Sequence, residues 1–165
     1  MKPAPNIPAL TLLFVLGILL QGCTKDRYTL YKALLINPTD HKITILPYKA
    51  GQVPATDTLR LKPQDSIVIA DGSQRGERNG PGFSSKYFGG PADSNVVIFD
   101  DSFRVVHYVD LPDTPLAIKH YLYHSLRNLS NIKSYELEQI KQSKHVYENI
   151  HRYYFTEADY DFARD

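Results

Sequence analysis

Asn95–Val109 reads NVVIFDDSFRVVHYV, two β-rich runs on either side of Asp100-Asp101-Ser102. Val, Ile, Phe and Tyr suit a pleated, half-buried surface, and a short acidic turn between two such runs predicts a hairpin. Both runs are too continuously apolar for strands with one wet face, so they are expected to be central in a sheet, with both faces at least partly covered.

Outward from this hairpin, short β-rich runs continue to alternate with turn residues. Tyr31–Ile36 (YKALLI) ends at Asn37-Pro38-Thr39-Asp40, and Lys42–Leu46 follows with Ile43 and Ile45 on one face, so these two are expected to form a hairpin. Thr58–Leu61 and Ser66–Ala70 are expected to pair across Lys62-Pro63-Gln64-Asp65. Asp71–Ala92 holds six glycines and two prolines interrupted by Phe83, Tyr87 and Phe88. It reads as a long loop packed by its own aromatic residues, with one helical turn at Ser84–Phe88.

Towards the C-terminus, Leu116–Ser125 fits a strand or a helix, and Ser134–Tyr147 is polar with only Leu137 and Ile140 at helical spacing. Asn149–Phe155 reads as a strand. Thr156-Glu157-Ala158-Asp159 has the composition of a helix start, a capping hydroxyl followed by acids at the positive end of the helix, and predicts a short helix to Ala163. The expected fold is mostly β, a small antiparallel β-sandwich-like domain with a short C-terminal helix.

The other end of the chain has a different character. Lys2 precedes an uncharged run, Ala9–Leu20 (ALTLLFVLGILL), which leads into Gln21-Gly22-Cys23. A basic start, an apolar middle and a small residue before the cut is the order of a secretory signal. The run is shorter than the ~20 apolar residues a spanning helix needs. Leu20-Gln21-Gly22-Cys23 resembles the lipobox of bacterial lipoproteins. The resemblance implies cleavage between Gly22 and Cys23, a diacylglycerol thioether on Cys23 and an added acyl chain on its amine, enough together for firm membrane attachment. The chain thus divides into a signal peptide at 1–22, a lipidated N-terminus and short tether at 23–29, and a single β-rich domain at 30–165.

Cys23 is the only cysteine, so no internal disulfide can form, and acylation accounts for a thiol that would otherwise stand unpaired in an exported protein. Without Lys2 the remaining chain has 18 Lys plus Arg against 18 Asp plus Glu, which provides no broad basic field and disfavours nucleic acid as a partner. About 140 residues can bury a core without disulfides or metals. Twelve tyrosines and no tryptophan fit sheet surfaces on which the ring packs and the hydroxyl stays wet.

Candidate chemistry is sparse. His120 and His124 share a face only on a helix; on a strand they lie about 13 Å apart, too far for one ion. Tyr121 also stands where the metalloprotease pattern has its glutamate. Asp100 and Asp101 could join a calcium site but are also ordinary turn residues, and no other ligands are evident. The glycine-rich segment lacks both phosphate-binding fingerprints. No G-x-S-x-G occurs, and Ser84 or Ser85 beside Lys86 lacks a Ser-Lys hydrolase pattern. No catalytic residue, metal or cofactor is expected.

The chain resembles small, uncharacterised lipoproteins of Bacteroidota. The likeness rests on INPTDHKITILPYKAG (Ile36–Gly51), SIVIADG (Ser66–Gly72), RGERNGPGFSSKYFG (Arg75–Gly89), VVIFDD (Val96–Asp101) and YFTEADY (Tyr154–Tyr160). It implies an envelope location, lipid-anchored and at the outer membrane on its periplasmic or surface face. Asp57-Thr58-Leu59 and Asp65-Ser66-Ile67 look like O-glycosylation acceptors of that phylum, on Thr58 and Ser66. The expected role is a non-catalytic binding or structural module that meets an envelope protein or glycan through Phe83, Tyr87 and Phe88. The alternatives are a hydrolase, which needs His107, His120 or His124 beside a carboxylate, or an envelope assembly accessory, which needs an apolar patch or a free strand edge.

Overall fold

The Asn95–Val109 hairpin is present, as β5 (Ser94–Phe99) and β6 (Phe103–Tyr108), in register from Ser94–Tyr108 to Phe99–Phe103. The computed structural model describes residues 27–49, 52, 58–75, 92–109 and 119–165. Every residue of β5 is buried or half-buried, so both faces of that strand are covered. Asp100 and Asp101 both adopt left-handed backbone (φ 49° and 59°), the sign of φ that lets a tight turn follow the twist of its strands.

Seven further strands complete two sheets: β1 (Tyr28–Asn37), β2 (Ile43–Tyr48), β3 (Leu59–Leu61), β4 (Asp65–Arg75), β7 (His120–Tyr121), β8 (Glu136–Lys141) and β9 (Val146–Tyr154). The four-stranded sheet runs β4-β1-β9-β8 and the five-stranded sheet β3-β2-β5-β6-β7. Pairing is antiparallel except for β1 with β9 and β6 with β7, which are parallel. The fold is mostly β and sandwich-like, with one C-terminal helix, α1 (Glu157–Arg164). Leu35 from one sheet and Ile43, Ile45, Val97 and Phe99 from the other are fully buried between them, with Tyr153 and Phe155.

Two expected pairings do not occur. β1 and β2 belong to different sheets, and so do β3 and β4. At each of these turns the chain crosses the sandwich instead of doubling back. Asn37, fully buried at the end of β1, ties the crossings together: its Nδ2 donates to the carbonyls of His41 (2.7 Å) and Lys62 (2.8 Å). Gln64, also at positive φ, adds Nε2 to the Pro38 carbonyl at 2.7 Å.

Other boundaries shift as well. β1 opens at Tyr28, two residues before the expected domain start at Leu30. Asp71–Arg75, expected as loop, continues β4; Gly72 pairs with Tyr31, whose phenol lies where a β-carbon would stand, 2.6 Å away. An aromatic ring laid over a strand glycine supplies the side-chain cover the glycine lacks. The polar Ser134–Tyr147 stretch contains strand β8, and Leu116–Ser125 supplies the two residues of β7. Thr156 caps α1 as expected: Asp159 accepts from its amide (2.8 Å) and its hydroxyl (2.9 Å), and Asp159 is itself buried. Gly22, Cys23, the 84–88 turn and the aromatics Phe83, Tyr87 and Phe88 lie outside the described residues.

Candidate functional site

Crossing the sandwich at 38–42 delivers His41 to the end of the molecule where the β5–β6 turn meets the start of α1. Its Nδ1 lies 2.6 Å from Asp100 Oδ2 and its Nε2 3.1 Å from Glu157 Oε2. A carboxylate only accepts, so both ring nitrogens must donate and the ring is an imidazolium. Partial burial works against that charge, but the hydrogen bonds and charges of Asp100 and Glu157 outweigh it and raise the pKa above its ordinary value. The ring stacks on Tyr160, 3.5 Å between centroids, and Tyr160 turns its edges to Phe99 and Phe103. This clamp fastens α1 to the 38–42 crossing and to the β5–β6 turn. With no free lone pair, His41 has no capacity as a general base.

Asp100 and Asp101, the calcium candidates, are engaged locally. Asp100 accepts from the Lys42 amide at 2.9 Å as well as from His41, and Asp101 pairs with Lys42 Nζ at 2.8 Å. Burial favours the neutral form of Asp100, but these partners pull its pKa below the usual carboxylate value. No group of three or more His, Cys, Asp or Glu side chains among the described residues is arranged to hold a metal ion.

A second node lies further along α1. Arg127 reaches Asp159 with Nε (3.0 Å) and Nη2, donates to the Tyr154 carbonyl (2.9 Å), and rests over the Tyr153 ring. Tyr153 donates in return to the Arg127 carbonyl at 2.7 Å. Tyr121 points its hydroxyl at Asp159, and burial together with that carboxylate pushes its pKa up to about 12. Sequence reasoning singled out neither His41 nor Arg127, because neither belongs to a motif and their partners are remote in the chain.

The histidines that were candidates do not converge. His107 is fully buried, accepts from the Leu129 amide at 2.9 Å through Nδ1, and is held neutral by burial and the nearby Arg127 charge, its pKa lowered to about 3. His120 is half-buried against Tyr108, and His124 is exposed in the turn beyond β7. Of the glycosylation candidates, Ser66 is exposed on β4, which lies at one edge of its sheet, and Thr58 is half-buried just before β3.

Among the described residues an open concavity lies between the C-terminal part of α1 and the β2, β5 and β6 strands. It measures about 510 Å³. Val96, Val106 and Ala163 form an apolar floor, Tyr48 a wall, and Arg104, Lys119 and Arg164, with the carboxylate of Asp165, a rim of net positive charge. Arg164 shares its charge with Asp161 and Asp165, whereas Arg104 and Lys119 make no ion pair among the described residues. Lys119 Nζ does lie over the Phe162 ring, 5.5 Å from its centre; a groove of this size with an apolar floor and cations at its rim suits a small organic anion.

Comparison with family models, with curated proteins and with solved structures finds no match for this chain. No helix among the described residues is long and apolar enough to cross a membrane.

Proposed function

We propose that this chain is an envelope lipoprotein, fastened at the outer membrane by lipid on Cys23, whose β-sandwich is a non-catalytic module that binds a small organic anion. The observation that carries the binding half is the 510 Å³ groove with Arg104 and Lys119 at its rim, neither in an ion pair among the described residues. The polar residues around α1 argue in the same direction. His41 is engaged at both ring nitrogens, His107 at Nδ1, and Arg127 is fixed by Asp159, so they act as structural ties, while the groove has charge to offer a ligand.

Octanoate, with octanamide as its neutral counterpart, is a suitable probe pair for an apolar floor and a cationic rim. Octanoate is expected to bind saturably and to shift the NMR signals of Val96 and Val106. Arg104→Gln with Lys119→Gln should weaken it about tenfold, the loss of roughly one charged hydrogen bond. Equal binding of both probes, or none, overturns the groove. The anchor is checked by intact mass of protein from a bacterial membrane fraction. A mature chain beginning at Cys23 and carrying lipid supports it, and an unlipidated or uncleaved product overturns it.

A further inference from the structure

The end of the four-stranded sheet opposite the His41 clamp differs from the rest of the surface. β1 begins there with Tyr28, whose amide donates to the His145 carbonyl at 2.8 Å and so binds the first strand to the β8–β9 turn. Tyr28 is 44% exposed and Leu30 39%, while Thr29 between them is 3% exposed; the two large side chains therefore share the outer face. Beside them, Tyr28 is in register with Arg75 and Val146, and Leu30 with Ser73 and Glu148. Lys141 ends β8 and Lys144 stands in the turn, both exposed. Among the described residues this end gathers the cations Arg27, Lys32, Arg75, Lys141 and Lys144 against the carboxylates Asp71, Glu138 and Glu148, of which Glu138 is paired with Arg152 and Glu148 is held by Gln142 at 2.7 Å.

The chain itself limits what this end can face. Five peptide steps separate Cys23 from Tyr28, a reach of roughly 18 Å at full extension. β1 then carries the chain about 30 Å away, at ~3.3 Å per residue, to Asn37 and the His41 clamp. Lipid on Cys23 thus confines Tyr28 to the neighbourhood of the bilayer, whereas the opposite end is free to stand well outside it. Tyrosine is the side chain suited to the level of the headgroups, ring in the acyl boundary and hydroxyl in water. Lysines at the same height complement an anionic surface.

We propose that the Tyr28 end of the four-stranded sheet lies on the anionic lipid surface to which Cys23 is fastened, with Tyr28 and Leu30 seated at headgroup level and Lys141 and Lys144 over the phosphates. This rests on the lipid-anchor reading and adds an orientation: the sandwich stands on the membrane by the β8–β9 turn and presents the His41 clamp away from it.

The natural chain has no tryptophan, so single tryptophans report their own positions. Tyr28→Trp and Lys62→Trp are placed in the full-length, lipidated protein. Each is reconstituted into vesicles of phosphatidylethanolamine and phosphatidylglycerol whose acyl chains are brominated close to the headgroup. Emission from residue 28 is expected to shift to the blue and fall by about half, and that from residue 62 to stay unchanged. Lys141→Gln with Lys144→Gln, or added salt, should reduce the quenching at residue 28. Should Tyr28→Trp fail to fold by circular dichroism, Leu30→Trp replaces it. Lipidated protein that is quenched equally at both positions, or at neither, overturns the orientation while leaving the anchor in place. Protein found by intact mass to carry no lipid overturns the anchor, and the orientation with it.

Discussion

At the residue scale, the side chain on which the C-terminal part of the molecule depends most is Asp159. It is 3% exposed, and its carboxylate is held by Arg127 and by two donors from Thr156, the amide and the hydroxyl. Removing a partner from a buried charge costs more than the pair itself contributes, since the remaining ion loses both water and its counter-charge. Arg127→Met is therefore expected to destabilise by about 2–3 kcal/mol, scaled down from a fully buried pair because Arg127 keeps some contact with water. Asp159→Asn in the Arg127→Met background should recover part of that loss, which urea unfolding of the single and double variants would measure. Single mutants that simply add would remove the coupling. This pair was illegible in the sequence, as was His41, whose carboxylate partners lie 59 and 116 residues away. Spacing rules detect partners on one helix or strand, and here the fold alone brings them together.

At the element scale, what the sequence disclosed depended on whether an element was closed by its own neighbours. The β5–β6 hairpin was legible because both strands and the turn between them form one local unit, and α1 because Thr156 and Asp159 cap it from within four residues. The β1–β2 and β3–β4 pairings failed for the converse reason. Pro38 and Pro63 mark a turn in either case, but they do not say whether the next strand pairs with the last or crosses to the other sheet. That choice is fixed by Asn37 and Gln64, whose side chains bond across the two crossings. β4 outran its expected end for a similar reason: Gly72 looks like loop until Tyr31 is placed over it. The hairpin turn gives an element-level prediction. Asp101 holds φ 59° and contributes only an exposed ion pair to Lys42. Asp101→Gly should thus be neutral or stabilising by about 0.5–1 kcal/mol. Asp101→Val, β-branched in left-handed backbone, should cost about 1–2 kcal/mol. Thermal unfolding of both variants checks the order, and a valine variant as stable as the glycine one would contradict the assigned backbone.

At the scale of the whole molecule, two histidines with opposite displacements set how stability depends on pH. His107 is buried and neutral, its pKa lowered to about 3, so protonation favours the unfolded chain. Its contribution is complete above the unfolded value near 6.5 and is lost as pH falls below it, by up to about 1.4 kcal/mol for each unit. His151, also lowered by burial, adds to this acid limb. His41 works in the other direction. Its raised pKa means that the clamp between Asp100 and Glu157 is fully present below the unfolded value and is lost as pH rises through the folded one. Asp100, lowered by its partners, keeps its share above the usual carboxylate range and loses it in acid. The expected profile is a dome with its top near neutrality, and the two limbs can be separated. His107→Asn keeps an acceptor for the Leu129 amide without a titrating ring, so it should flatten the acid limb while lowering stability at pH 7 through lost packing. His41→Gln should flatten the alkaline limb and, through the partner it removes from Asp100, weaken the acid limb only in the carboxylate range. Urea midpoints from pH 4.5 to 9 for the natural chain and both variants decide the matter. If His41→Gln leaves the alkaline limb unchanged, the imidazolium does not hold α1 to the 38–42 crossing and the β5–β6 turn, and the dome must arise elsewhere.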